Sequence, residues 1–139
     1  METKKILVLC TGNSCRSQMA EGFFKKYLPR WQVESAGISP TRVNPVAIEV
    51  MAEQGIDISG QRSKGVEEFL GQAFDYIITV CDHAREVCPS FPGKGKYIHW
   101  SLKDPDRGYG SPEQRAEEFR KVRDEIENRI RQFVKEERT

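Results

Sequence analysis

Five consecutive apolar residues, Ile6-Leu7-Val8-Leu9-Cys10, give way at once to Thr11-Gly12-Asn13-Ser14. An apolar run without polar alternation suits a strand covered on both faces, as in a parallel sheet. Turn chemistry ends the run. A helical pattern follows, with Met19, Ala20, Phe23, Phe24 and Tyr27 on one side and Pro29 as its stop. A buried strand that turns straight into a helix restricts the chain to α/β architectures.

The rest of the chain repeats the alternation. Strands are expected at residues 31–38, 74–80 and 96–100. Asn44-Pro45 caps and starts a helix carrying Val46, Ala47, Val50 and Met51, which Gly55 ends. Ser63 is expected to cap a short helix holding Val66, Phe69 and Leu70. Ser111-Pro112-Glu113 opens a long final helix, with Ala116, Phe119, Val122, Ile126, Ile130, Phe133 and Val134 at helical spacing. Its mixed charges read as a solvated face. The expected fold is a three-layer α/β sandwich, a four-stranded parallel sheet flanked by helices. In such sheets ligands sit beyond the carboxyl ends of the strands, where Cys10, Cys81 and the loop after Trp100 fall.

The 139 residues fit one domain, expected over 1–139 and read as a monomer. The net charge of +1 argues against a broad surface for nucleic acid or anionic membrane. No apolar run is long enough for a signal peptide core or a bilayer span. The expected compartment is the cytoplasm, where thiols stay reduced. Cys10, Cys15, Cys81 and Cys88 are then free, metal-bound or catalytic.

Cys10-Thr11-Gly12-Asn13-Ser14-Cys15-Arg16-Ser17 is the most informative stretch. The loop amides of Thr11, Gly12, Asn13, Ser14 and Cys15 can form a concave nest at the positive end of the following helix, which binds an oxyanion. Gly12 and Asn13 suit positive φ. Arg16 offers a forked cation to a tetrahedral anion. The same field favours a thiolate nucleophile at Cys10, and the Ser17 hydroxyl can donate to it. A nucleotide phosphate loop is a weaker rival, since no Gly-Lys-Ser/Thr ending is present. Cys15 is expected to turn into the core.

Cys81 and Cys88 follow the third strand, six residues between them. That spacing does not suit zinc, and no second Cys/His pair matches, so no metal site is expected. His83 and His99 stand isolated, as surface or hydrogen-bonded structural residues. Two packing cysteines and a redox pair both remain open on spacing alone.

The Cys-x5-Arg-Ser loop near the N-terminus resembles that of low-molecular-weight protein tyrosine phosphatases. The string from Cys10 to Gly22, CTGNSCRSQMAEG, resembles more closely the thioredoxin-coupled arsenate reductases built on that fold. Ser35-Ala36-Gly37, Gly55-Ile56-Asp57-Ile58-Ser59, Cys88-Pro89, His99-Trp100, Asp104-Pro105 and Val122-Arg123-Asp124-Glu125-Ile126 extend the match over the chain. The resemblance implies arsenate as substrate, Cys10 as nucleophile, a Cys10–Cys81 disulfide passed on to Cys81–Cys88, and thioredoxin as electron donor, with no cofactor. It implies that Asp104 is the general acid; Asp106 reads as a solvated neighbour. The phosphatases carry aromatic residues directly after Asp-Pro, where this chain has Asp106-Arg107-Gly108. That departure favours a small inorganic oxyanion.

A phosphatase working through a phosphocysteine is the runner-up, with Cys81 and Cys88 as packing or protective thiols. An oxyanion-binding or redox-sensing module is a third reading. Some relatives bind potassium through an asparagine, a glutamate, a serine and an aspartate. Asn13, Glu21 and Ser35 match, but Lys64 stands at the aspartate position. No potassium is expected. Lys64 either pairs with Glu21 or points to solvent.

Overall fold

Four strands, β1 (Lys5–Cys10), β2 (Gln32–Gly37), β3 (Tyr76–Thr79) and β4 (Lys96–His99), form one sheet in the order β2-β1-β3-β4. Every pairing is parallel. Helices α1 (Arg16–Tyr27), α2 (Pro45–Ala52), α3 (Asp82–Val87) and α4 (Pro112–Glu137) connect or flank them, with a 3-10 turn at Val66–Phe69. The computed structural model describes residues 3–138; residues 1, 2 and 139 of the expected domain lie outside that range. Among the described residues no helix is long and apolar enough to cross a membrane.

The apolar run that opened the sequence is the inner strand β1. Ile6, Leu7, Val8 and Leu9 are each fully buried. Successive strand side chains point to opposite faces, so both faces of the sheet are covered, giving the three layers of an α/β sandwich. Each such side chain contributes about 1.5–3 kcal/mol by leaving water. On one face α1 turns in Phe24, which stacks on Trp100 at 6.1 Å and meets Phe133 of α4 edge-on at 5.6 Å.

Local signals set the helix starts. Asn44 Oδ1 accepts from Val46 N at 2.8 Å, and Pro45 takes the first turn of α2. Gly55 follows with φ of 73°. Ser111 Oγ accepts from Gln114 N at 3.1 Å while Gln114 Oε1 accepts from Ser111 N at 2.9 Å, a reciprocal capping box on α4.

Three expectations need correction. Ser63 does not cap the short helix: Gly65 precedes the 3-10 turn, and Ser63 Oγ instead donates to Gly12 O at 3.1 Å. β3 is shorter than its apolar run, because Phe74 is buried against Phe69 and Phe91 outside the ladder. The charged face of α4 is not wholly solvated. Arg123 is buried, and its Nη1 donates to Val50 O at 2.9 Å and Glu53 Oε1 at 2.8 Å, clamping α4 to α2.

The register brings the strand ends together. Cys10 lies opposite Gly37, Leu9 opposite Thr79, and Thr79 opposite His99. Val80 N donates to Leu9 O at 2.9 Å and Trp100 N to Thr79 O at 2.9 Å, so the loops bearing Cys10, Cys81 and Asp104 leave one edge of the sheet.

Candidate active site

The loop after β1 is shaped by its carbonyls. Ser39 N donates to Thr11 O at 2.8 Å, Thr41 N to Gly12 O at 3.0 Å, and Asn44 N to Ser14 O at 3.0 Å. Gln18 Nε2 donates to Asn13 O at 3.1 Å. In a planar trans peptide the N–H points opposite to the preceding C=O. With the carbonyls of Thr11 to Ser14 tied to these donors, the amides of Gly12 to Cys15 face the concave side. The one that meets a side chain confirms the sense: Asn13 N donates to Cys10 Sγ at 3.1 Å. Cys15 precedes α1 without a side-chain cap, so its first-turn amides add to the same positive end.

Asn13 holds this geometry from beneath. It is fully buried with φ of 48°, whereas Gly12, expected to share positive φ, does not have it. Asn13 Oδ1 accepts from Lys64 N at 2.8 Å, which fixes the amide orientation. Its Nδ2 therefore donates to Ser17 Oγ at 2.8 Å and Ser35 Oγ at 2.9 Å. Ser17 Oγ lies 2.8 Å from Cys10 Sγ. With its oxygen accepting from Asn13, the Ser17 proton is directed at the sulfur. Cys10 itself is 2% exposed.

Arg16 spans from this loop to the segment after β4. Its Nη1 donates to Leu102 O at 3.0 Å, and its Nη2 lies 3.9 Å from Asp104 Oδ2. Asp104 is exposed and its Oδ1 accepts from Asp106 N at 3.0 Å. Asp106, expected to be solvated, is engaged: Arg115 Nη2 donates to it at 3.1 Å and Asn44 Nδ2 at 3.3 Å. The Asp104–Asp106 turn is thus tied to α2 and α4.

Cys81 is buried at the start of α3, where its Sγ accepts from Ala84 N at 3.4 Å. Thr11 Oγ1 lies 3.3 Å from that sulfur, so a second thiol borders the loop that carries Cys10. Cys88 is half-buried at the other end of α3, and burial pushes its thiol up from the ordinary range. A cleft of about 320 Å³ opens beside it, lined by Arg85, Tyr97 and Ile98 among others.

Cys15 is buried and its thiol is pushed up to about 12, chiefly by burial. An unfolded cysteine ionises near about 8.5. Between those values the unfolded chain holds fewer protons than the folded one, so stability falls as pH rises. The decline should reach at most about 1.4 kcal/mol per pH unit above roughly pH 9, and be absent below roughly pH 8. Denaturant midpoints for wild type and Cys15→Ala between pH 7 and 10.5 check this. The variant should start about 1 kcal/mol less stable, lose this share of the alkaline decline and keep its turnover.

Lys64 is buried, its Nζ 3.7 Å from Glu21 Oε1 and 3.3 Å from Arg62 O. Of the two readings of Lys64, the pairing with Glu21 is the one found. Glu21 also receives Ser35 Oγ at 2.5 Å and Lys25 Nζ. A fixed ammonium among these oxygens does not fit a potassium ion. Turnover and thermal midpoint should be equal in KCl and NaCl at matched ionic strength; a potassium-specific rise would refute this. Among the described residues no group of three or more His, Cys, Asp or Glu could hold a metal ion.

Sequence reasoning missed the donors that aim the carbonyls, Ser39, Thr41, Asn44 and Ser63. Their turn chemistry was visible, but not their target. It also missed the setting of His99, which bonds Thr79 and Asp82.

A family model described as low molecular weight phosphotyrosine protein phosphatase matches residues 5–138. An arsenate reductase of Halalkalibacterium halodurans is 50% identical over 135 residues, 96% of this chain and 97% of that one. A solved arsenate reductase in a phosphate-binding state superposes with a TM-score of 0.82 at 38% identity, covering 96% of this chain and 98% of that one. A thioredoxin-dependent arsenate reductase of Corynebacterium glutamicum superposes with a TM-score of 0.72 at 30% identity, covering 96% of this chain and 61% of that one.

Proposed function

The chain belongs to the low molecular weight phosphotyrosine protein phosphatase family, and from that premise we propose that it reduces arsenate to arsenite by a three-thiol relay. The observation that carries the reading is the second thiol beside the anion loop, Cys81 Sγ at 3.3 Å from Thr11 Oγ1. Under the phosphatase reading that thiol would have only a packing or protective role. The full-length similarity to proteins named arsenate reductase supports the same choice.

The loop amides and Arg16 bind arsenate, a tetrahedral oxyanion like phosphate. The Cys10 thiolate, held by Asn13 N and Ser17, forms an S–As bond as one arsenic–oxygen bond breaks. Asp104, beside Arg16, supplies the proton so that water leaves instead of hydroxide. The Cys81 thiolate then attacks Cys10 Sγ. A Cys10–Cys81 bond forms, the S–As bond breaks, and its electron pair stays on arsenic, which leaves as arsenite. The Cys88 thiolate attacks Cys81, forming Cys81–Cys88 and releasing the Cys10 thiolate. Two thiols are oxidised for each arsenic reduced by two electrons. An external dithiol of the thioredoxin kind restores the pair by exchange. Cys88, half-buried beside its cleft, is the sulfur such a partner can reach. In this proposal the chain acts as a single-domain monomer in the cytoplasm.

The relay requires α3 to open. Cys81 and Cys88 cap opposite ends of α3, seven positions apart, about 10 Å along a helix axis. A disulfide needs Cα atoms within about 7 Å. Amide exchange across residues 81–92 should therefore be slower in the reduced protein than in the oxidised one. Equal exchange in both states would sink the opening.

Arsenite release and NADPH oxidation, followed with thioredoxin and thioredoxin reductase, test the function. The expected result is multiple turnovers with arsenate and at most slow hydrolysis of an aryl phosphate. Phosphate ester hydrolysis without arsenite would favour a phosphatase instead.

A further inference from the structure

Opening α3 raises a question of which end moves. The two ends are held differently. At the Cys81 end, Val80 N is bonded to Leu9 O and Cys81 Sγ meets Thr11. The next residue, Asp82, receives two donors on one oxygen: His99 Nε2 at 2.9 Å and Ser101 Oγ at 3.3 Å. The His99 donor holds the Asp82 carboxyl below the usual carboxylate range.

His99 is well placed to hold anything. It ends β4 opposite Thr79, and its Nδ1 lies 2.7 Å from Thr79 Oγ1. Its side chain is 15% exposed, so the ring is gripped by the sheet edge. With the Nε2 proton on Asp82, Nδ1 accepts from the Thr79 hydroxyl, and all three polar groups are satisfied.

The Cys88 end lacks such an anchor. Among the described residues the side chains of His83, Arg85, Glu86 and Val87 make no hydrogen bond or ion pair with another element. Cys88 Sγ donates to Pro89 O at 3.4 Å, within its own segment. Val87 is 46% exposed and Cys88 is only half-buried against the core, so apolar packing of one side chain is what holds that turn.

We propose that His99 is a positioning residue for the thiol relay: through Asp82 it pins the first turn of α3, so the segment opens from its Cys88 end while Cys81 keeps its place beside Thr11. The proposal rests on the reductase reading above. Its chemical consequence is direct. Cys81 must first attack Cys10 Sγ and then receive Cys88, the electron pair of the broken Cys10–Cys81 bond returning to Cys10. Both displacements need Cys81 held in line, and a misplacement of about 1 Å can cost a hundredfold in rate.

The test compares His99→Ala, His99→Gln, Asp82→Ala and the double alanine variant. The first readout is arsenite turnover with thioredoxin. Each single alanine variant should lower kcat roughly tenfold and leave KM for arsenate within about twofold. The double variant should be no slower than the slower single one, because both remove the same contact. His99→Gln, which keeps a donor for Asp82, should recover most of the rate. A kcat within twofold of wild type, a loss confined to KM, or effects that multiply would overturn the proposal. Asp82, with its side chain 68% exposed, can be changed without touching the core, so a misfolded His99→Ala leaves the test intact.

Amide exchange in the reduced protein is the second readout and needs no reaction. In wild type, protection should fall from residue 84 toward residue 88. Asp82→Ala and His99→Ala should abolish that gradient, and an unchanged gradient would overturn the anchor. A wild type that makes no arsenite would overturn the reductase reading, while the exchange arm still decides whether the anchor exists.

Discussion

Replacing Cys88 with serine is expected to stop the protein after one arsenite per molecule. Cys10 and Cys81 remain, so the adduct still forms and Cys81 still displaces arsenite from it. The product is then a Cys10–Cys81 disulfide with no internal thiol to resolve it. Cys10 is 2% and Cys81 5% exposed, so an external dithiol has poor access to either sulfur. Steady-state turnover with thioredoxin should fall more than about a hundredfold, while a burst near one equivalent survives. Serine is close in size to cysteine and Cys88 is only half-buried, so stability should change little. Rapid quench with arsenite quantitation separates burst from steady state. Sustained turnover at the wild-type rate would remove Cys88 from the relay.

Gly37→Ala is expected to damage the site more broadly. A β-carbon at Gly37 would lie 2.6 Å from Thr11 O and 2.8 Å from Asn13 N. Both are backbone atoms of the loop after β1, so no side-chain rotation relieves the clash. Gly37 does not have positive φ, so the penalty is one of space. The loop must shift against the carbonyl ties that aim its amides. Overpacking of this kind costs about 1–3 kcal/mol, and the displaced amides should lower kcat/KM for arsenate by roughly a hundredfold or more. The thermal midpoint should drop by roughly 3–10 °C. Gly60→Ala is the control, since its added carbon would meet nothing within 4 Å and its φ is not positive. Equal activity of the two variants would mean that the loop tolerates displacement.

The features legible in the sequence are those whose cause is local. β1 was legible because five apolar residues in a row leave little alternative. The start of α2 at Asn44-Pro45 and of α4 at Ser111-Pro112 were legible because a cap and a proline act within one turn. The roles proposed for Cys81, Cys88 and Asp104 are what the resemblance implies; spacing alone leaves them open. What stayed hidden depends on contacts across the chain. Ser63 looks like a helix cap but serves Gly12, fifty-one positions away. Arg123 looks like one more solvated charge, but α2 places Val50 O and Glu53 around it. His99 looks isolated until β3 and β4 pair and bring Thr79 and Asp82 to its two nitrogens. The apolar run ending at Val80 overstated β3 because hydrophobicity reports burial, not ladder pairing.

In the proposed relay three of the four thiols act in order while Cys15 stays out of the chemistry. Disulfide mapping by mass spectrometry tests it most directly. Reduced wild-type protein is mixed with one equivalent of arsenate, without thioredoxin, then alkylated and digested. The relay predicts one arsenite released and a single Cys81–Cys88 disulfide, with Cys10 and Cys15 both alkylated. A disulfide containing Cys15, or four free thiols with arsenate unchanged, would contradict it.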